Sequence, residues 1–253
     1  MLTESQIARY SRQIILPSVG GRGQQKLLSA SVAVAGGGEM AAAAALYLAA
    51  AGIGELSVIG SEGLACSDLE ALNPDCHLTL CALPITTDDA AGVVRDHDVV
   101  IDAGSASATA VLLNAACVTL CRPLVWGAAA GAVGQATVLA GYRAAVPCYC
   151  CLQLHGLRQD QPREAVGGVS LSAALAGAVG AFIGTVQATE VIKLILGLDP
   201  TLMGRRLVYD ACEAVVREES IVSHPRCELC GRLERADANN DDAHAGQEEE
   251  EEL

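Results

Sequence analysis

The sequence predicts an α/β protein whose sheet is parallel early and antiparallel late. Three observations carry this expectation. An apolar run at residues 31–35 meets Gly36, Gly37 and Gly38 and then a strong helix pattern, which opens a βαβ unit with its glycines at the first turn. Strand-like and helix-like stretches then alternate along the chain. Two short runs, 207–209 and 214–217, read as a late hairpin.

Taken in order, the first helix begins at Thr3, where Gln6 completes a capping box, and runs towards Leu16 until Pro17 stops it. Residues 31–35 (Ser-Val-Ala-Val-Ala) form the first strand, and Glu39 to Ala51 an Ala-rich helix that Gly52 ends. Residues 56–59 form the second strand and 99–102 a third, closing before Gly104. A helix follows at 106–117, then strands at 123–126 and 135–140. Residues 170–196 make one or two helices. No internal repeat is visible. From Glu234 onward the chain is polar and acidic, residues 232–253 read as a disordered tail, and those from about Ala236 onward as dispensable for folding.

Composition excludes several classes. Hydrophobic residues make up 51% of the 253, enough for a large core, but aromatics only 3%, so Ala, Val, Leu and Gly must build a small-residue interior. The net charge is −14, and eight acids lie beyond the last arginine, Arg235; without those eight the charge is −6. Neither value suits nucleic acid or an anionic membrane as the main partner, since phosphate contacts need clustered Lys and Arg. The first residues lack the basic and apolar regions of a secretory signal. The uncharged run between Glu164 and Glu190 carries Gly180-Ala-Phe-Ile-Gly184, a small-xxx-small spacing. Gly and Ser dilute its hydrophobicity, so it reads as a core helix and not a membrane span.

Eleven cysteines without a signal segment point to a reducing cytoplasm, where thiols stay free or bind metal. Cys148 and Cys151 form one C-x-x-C pair, Cys227 and Cys230 a second. Two such turns close a tetrahedral zinc site, and four thiolates leave no open position, so the expected role is a structural clip. Cys150 is a further thiol that could replace one ligand.

Several segments resemble, in order, the ThiF/MoeB/HesA family, relatives of ubiquitin-activating enzymes. They are Arg9-Tyr-Ser-Arg-Gln-Ile-Ile-Leu-Pro17, the run from Gly20 to Leu28, residues 44–54, residues 147–152, residues 187–197, Tyr209-Asp-Ala and Pro225-Arg-Cys-Glu-Leu-Cys-Gly231. The similarity spans nearly everything except roughly residues 60–95 and the tail. It implies a Rossmann-like ThiF/MoeB fold over residues 1–231, a zinc clip, and a dimer. It also implies a reaction: MgATP adenylates the C-terminal glycine of a small β-grasp, ubiquitin-like or sulfur-carrier protein. That chemistry needs a glycine turn for phosphates, an acid for ribose, cations for the triphosphate and an aspartate for magnesium.

Set against the family pattern, the chain departs at most of these points. The family's G-x-G-G-x-G appears as Gly36-Gly-Gly-Glu-Met-Ala41, keeping Gly36 and Gly38 but placing Glu39 and Ala41 where glycines stand. Glu39 puts a carboxylate at a helix N-terminus, where it repels phosphate or simply caps the turn. Gly60 falls at the ribose acid's position, with Glu62 the nearest substitute. The N-L-x-R-Q segment and its downstream lysine are missing, and residues 56–94 contain no Lys or Arg. The family's D-x-x-D becomes Asp102-Ala-Gly-Ser105, with Ser105 in place of the magnesium carboxylate. No cysteine lies between Arg163 and Ala173 to act as the thiol some relatives use; Cys66, Cys76 and Cys81 read as small buried hydrophobes.

Arg12 survives at the position of the arginine that the family lends across the dimer to its partner's ATP; an ordinary surface salt bridge is the other reading. The residual nucleotide set is therefore Gly36, Gly38, Asp102 and Arg12. The resemblance thus implies a non-catalytic member, binding little or no MgATP. Its partner would be a β-grasp carrier or an active paralogue, in a homo- or heterodimer. The alternative is a functional ATP-dependent adenylyltransferase of a ubiquitin-like sulfur carrier. A dinucleotide reductase rests only on a degenerate glycine turn.

Overall fold

The computed structural model describes residues 1–60, 71–83, 85–154 and 171–231. Glu62, Cys66, Arg163 and the acidic tail lie outside the described residues. The N-terminal arm comprises α1 (Glu4–Arg9), α2 (Ser11–Ile14) and α3 (Gly20–Ser29). The parallel half follows as β1 (Ser31–Ala35), α4 (Gly38–Ala51), β2 (Glu55–Ile59), β3 (His77–Cys81), α5 (Thr87–Arg95), β4 (Val99–Ala103), α6 (Ser107–Thr119) and β5 (Leu124–Ala130). The chain closes through β6 (Val133–Leu139), α7 (Tyr149–Leu154), α8 (Leu171–Leu196), β7 (Arg205–Asp210) and β8 (Val215–Ser220).

One eight-stranded sheet has the order β3-β2-β1-β4-β5-β6-β7-β8. Pairings from β3 to β5 are parallel, and those from β5 to β8 antiparallel. The predicted α/β class, with its change of strand direction, is thus the observed one. Alternation along β1 explains its unbroken apolar sequence. Val32 and Val34 face α4 and α8, whereas Ala33 and Ala35 face α5 and α6, so both faces are buried.

Small residues set how closely the layers approach. A Cβ at Gly184 of α8 would overlap the Met40 carbonyl oxygen of α4. The small-xxx-small spacing therefore seats α8 on α4 and the sheet. Among the described residues only α8, over Ala174–Leu196, has the length and composition to cross a membrane, and half of that stretch is buried in the fold.

Two departures from the sequence reading have physical causes. The first helix is broken at Tyr10. The Thr3–Gln6 capping box forms as expected, but Tyr10 is only 1% exposed. Its hydroxyl donates to Asn73 Oδ1 at 3.2 Å or to Asp75 Oδ2 at 3.1 Å. Asn73 Nδ2 donates back to that hydroxyl at 2.8 Å and to the Ala49 carbonyl at 2.6 Å, and Arg9 pairs with Asp75. These distant partners outweigh local helix propensity. The second departure is the pair β3 and α5, for which no element was expected. Strand β3 is a half-exposed edge. Helix α5 starts where the Asp89 carboxylate accepts from both the Thr86 hydroxyl (2.6 Å) and its N–H (3.3 Å).

Candidate functional site

Strand β1 lies between β2 and β4, so the order of strands reverses direction there, and a crevice opens beyond the carboxyl ends of β1 and β4. The glycine turn sits in it. Gly36 has φ +128° and a Cβ there would overlap the Ala103 carbonyl oxygen; Gly38 has φ +68°. At Gly36 only glycine fits, and at Gly38 the left-handed backbone favours it. The turn leads into the N-terminus of α4, whose dipole and free N–H groups favour an anion.

Asp102 stands at the end of β4, in register with Ala35 of β1 and Trp126 of β5. It is 1% exposed. Its Oδ1 accepts from the Ser105 N–H at 2.9 Å, while Oδ2 has no partner among the described residues. Burial pushes its carboxyl up to about 6, and the hydrogen bonds from Ser105 only partly offset that. Gln187 of α8 braces the same strand end. Its Nε2 donates to the Asp102 carbonyl at 2.7 Å and to the Val125 carbonyl at 3.1 Å. Gln187 was missed from sequence; a polar residue in an apolar helix was the available signal.

Gly60 ends β2 with φ +81° and donates its N–H to the Cys81 carbonyl at 2.7 Å, offering no side chain at the ribose position. Glu39 corrects the reading of a capped first turn. The N-cap is Gly37, without a side-chain bond, and the Glu39 carboxylate turns towards α8, with Oε1 3.5 Å from where a Cβ of Gly177 would lie. The fold brings Gly36, Gly38 and Asp102 together. Arg12 is elsewhere, exposed on α2, with no ion pair among the described residues. Its neighbour Gln13 lines a groove of about 310 Å³ with Tyr47, Thr185 and Thr189, between α4 and α8.

The cysteines converge. The sulfurs of Cys148, Cys151, Cys227 and Cys230 all lie within 4.8 Å of one another and are buried. Cys148 and Cys227 are 3.5 Å apart, Cys151 and Cys230 3.2 Å, and Cys148 and Cys151 3.9 Å. Zinc–sulfur bonds of about 2.3 Å arranged tetrahedrally require sulfurs roughly 3.8 Å apart, so the donor set fits zinc. Hydrogen bonding from Cys150, then Cys151 and Cys230, holds Cys148 well below the usual thiol range. The hydrogen bond to Cys148 in turn pushes Cys151 up to about 11, and raises Cys230 as well. So tight a group cannot carry four thiolate charges without a cation. Cys150 stands outside the four; its half-buried sulfur accepts from Asn114 Nδ2 at 3.6 Å. Gly141 permits the knuckle, since a Cβ there would lie 2.6 Å from the Cys148 Cβ.

A glycine turn at the switch point of a parallel sheet that continues antiparallel, with a four-cysteine cluster, defines a Rossmann-like domain with a candidate metal clip. The chain belongs to the ThiF family, whose model matches residues 10–70 and 62–230. It is 34% identical over 260 residues to the sulfur carrier protein adenylyltransferase of Thermus thermophilus, covering 90% of this chain and 92% of that protein. It is 37% identical over 253 residues to the adenylyltransferase and sulfurtransferase MOCS3 of Anopheles gambiae, covering 90% of this chain but only 56% of that relative. The chain thus spans about half the length of the MOCS3 relatives it matches. The crystal structure of E. coli MccB with ATP superposes with a TM-score of 0.68 at 20% identity, over 88% of this chain and 74% of that one, a likeness of fold.

Proposed function

We propose that this chain is a non-catalytic ThiF-family protein that works by binding, engaging a ubiquitin-like β-grasp carrier or completing an active paralogue. One observation carries the reading: residues 56–94 contain no Lys or Arg. A triphosphate in the crevice would meet the buried Asp102 without cations from that segment. Gly60 brings no carboxylate to the ribose, and Ser105 stands where the resemblance expects the magnesium ligand. Each lost electrostatic group in such a site costs about 10²–10³ in rate, and several are lost together.

Arg12 supports the partner half of the proposal. It is exposed and unpaired among the described residues, at the position that the family lends across a dimer. Ile15, Leu16 and Tyr47 are exposed hydrophobics on the elements around it, apolar surface suited to a homo- or heterodimer. Zinc would be held by Cys148, Cys151, Cys227 and Cys230, and in a closed site it supplies fold stability and no chemistry. The proposed setting is the reducing cytoplasm, with a protein partner in preference to nucleic acid or membrane.

The second reading, a functional ATP-dependent adenylyltransferase of a sulfur carrier, is favoured by the 34% identity to such an enzyme along nearly its whole length. Calorimetric titration of ATP with and without magnesium separates the two. The binding reading expects no saturable MgATP site; a magnesium-dependent site would establish the second.

A further inference from the structure

A second cleft opens at the opposite end of the sheet from the glycine turn, where β1, β4 and β5 begin. Its volume is about 470 Å³, and Lys26, Asp98, Tyr142, Arg143, Leu194 and Met203 are among its walls. Asp98, its acid, is already satisfied. Its Oδ2 accepts from the Ser31 N–H (3.0 Å) and hydroxyl (3.2 Å), and its Oδ1 pairs with Arg122 at 3.7 Å. The two cations of the cleft are not neutralised by a carboxylate among the described residues. Lys26 has no carboxylate partner among the described residues. Arg143 has the Met203 sulfur at 3.8 Å, the Tyr142 ring at 5.8 Å and a hydrogen bond with the Tyr142 side chain, but no carboxylate among the described residues. Both cations line one cleft beside the apolar side chains of Leu194, Ile195 and Met203.

We propose that this cleft binds the chain's own acidic run, residues 248–252, with glutamates on Lys26 and Arg143. Charge and connection both favour it. The run is five consecutive glutamates. The last described residues also lie beside the cleft: a Cβ at Gly141, two positions before Arg143, would be 3.1 Å from the Cys230 Cβ. Seventeen positions separate Gly231 from Glu248, a length for which coil statistics give an end-to-end distance of roughly 20–25 Å. That exceeds the radius of gyration of about 17 Å expected for a domain of this size. A tethered run at that range reaches an effective concentration of about millimolar, which compensates for exposed ion pairs that are individually weak. The inference does not depend on whether the glycine crevice is catalytic.

Zero-length carbodiimide cross-linking of the full chain, read by peptide mass spectrometry, tests it. The expected product is an intrachain amide between Lys26 and a glutamate of 248–252. Its yield should fall several-fold at about 0.5 M salt, where the Debye length is near 4 Å. Arg143→Gln should lower the yield about two- to fivefold by removing the second cation. Replacing all five glutamates with Gln, a change confined to the tail, should abolish the product and raise Lys26 acylation by a soluble ester. A Lys26 cross-link found only between chains would assign the cleft to a second copy and overturn the proposal. Yields indifferent to salt and to Arg143→Gln, or Lys26 acylation unchanged by the five replacements, would overturn it too.

Discussion

The Ser105 main-chain N–H donates to one oxygen of Asp102 at 2.9 Å, and the other oxygen, also buried, has no partner among the described residues. A carboxylate so placed costs stability when it ionises. Its folded value of about 6 lies above the ordinary value of about 3.9. Ionisation is therefore easier in the unfolded chain, and stability falls as pH rises from about 4 through about 6, then levels. At pH 7 the loss is about 3 kcal/mol. Asp102→Asn should remove that slope. Chemical denaturation of both proteins from pH 4 to 7 should show the variant gaining on the wild type by up to this amount. A constant difference would mean that Asp102 ionises as readily folded as unfolded, so that burial does not raise its carboxyl.

The cysteine clip predicts about one zinc per chain by elemental analysis. Cys227→Ser should lose the metal and lower the melting temperature sharply, while Cys150→Ser should keep both. Metal loss in Cys150→Ser with retention in Cys151→Ser would exchange their roles.

Asn73 holds the N-terminal arm that carries Arg12, through Tyr10 and the Ala49 carbonyl. Asn73→Ala strands these buried groups and should cost about 1–3 kcal/mol in urea unfolding. Tyr10→Phe should cost less, because Asn73 keeps its bond to Ala49.

Two glycines should respond oppositely to alanine. Gly184→Ala pushes α8 off Met40, and overpacking of this kind costs about 1–3 kcal/mol or more. Gly92, inside α5, has open space where a Cβ would stand, so Gly92→Ala should stabilise by roughly 0.5–1 kcal/mol. Thermal melts of the pair read both signs.

Much of this was legible in the sequence, for reasons that differ by element. Strand β1 and helix α4 were plain because Ser31–Ala35 is apolar on both faces and Gly52, at φ +91°, ends the helix where expected. Strand β3 was not, because an edge strand with alternate residues exposed carries a weak pattern. The break at Tyr10 depends on Asn73 and Asp75, whose proximity no local reading supplies. At the clip, spacing alone left Cys150 beside Cys151 as a ligand; the fold closes the group of four with Cys151, while Cys150 bonds Cys148 and Asn114 from outside it. Gly36, Gly38 and Asp102 were readable as a crevice, but the bracing by Gln187 from α8 needed the folded chain.

The proposed loss of adenylation chemistry is tested most directly by ATP–pyrophosphate exchange with the isolated chain, offered a ubiquitin-like sulfur carrier and magnesium. The account predicts no exchange above background. With an active ThiF-family paralogue present, it predicts exchange stimulated by this chain and abolished by Arg12→Ala, which leaves the chain's own crevice untouched. Robust exchange by the isolated chain, persisting after any contaminating paralogue is removed, would contradict it.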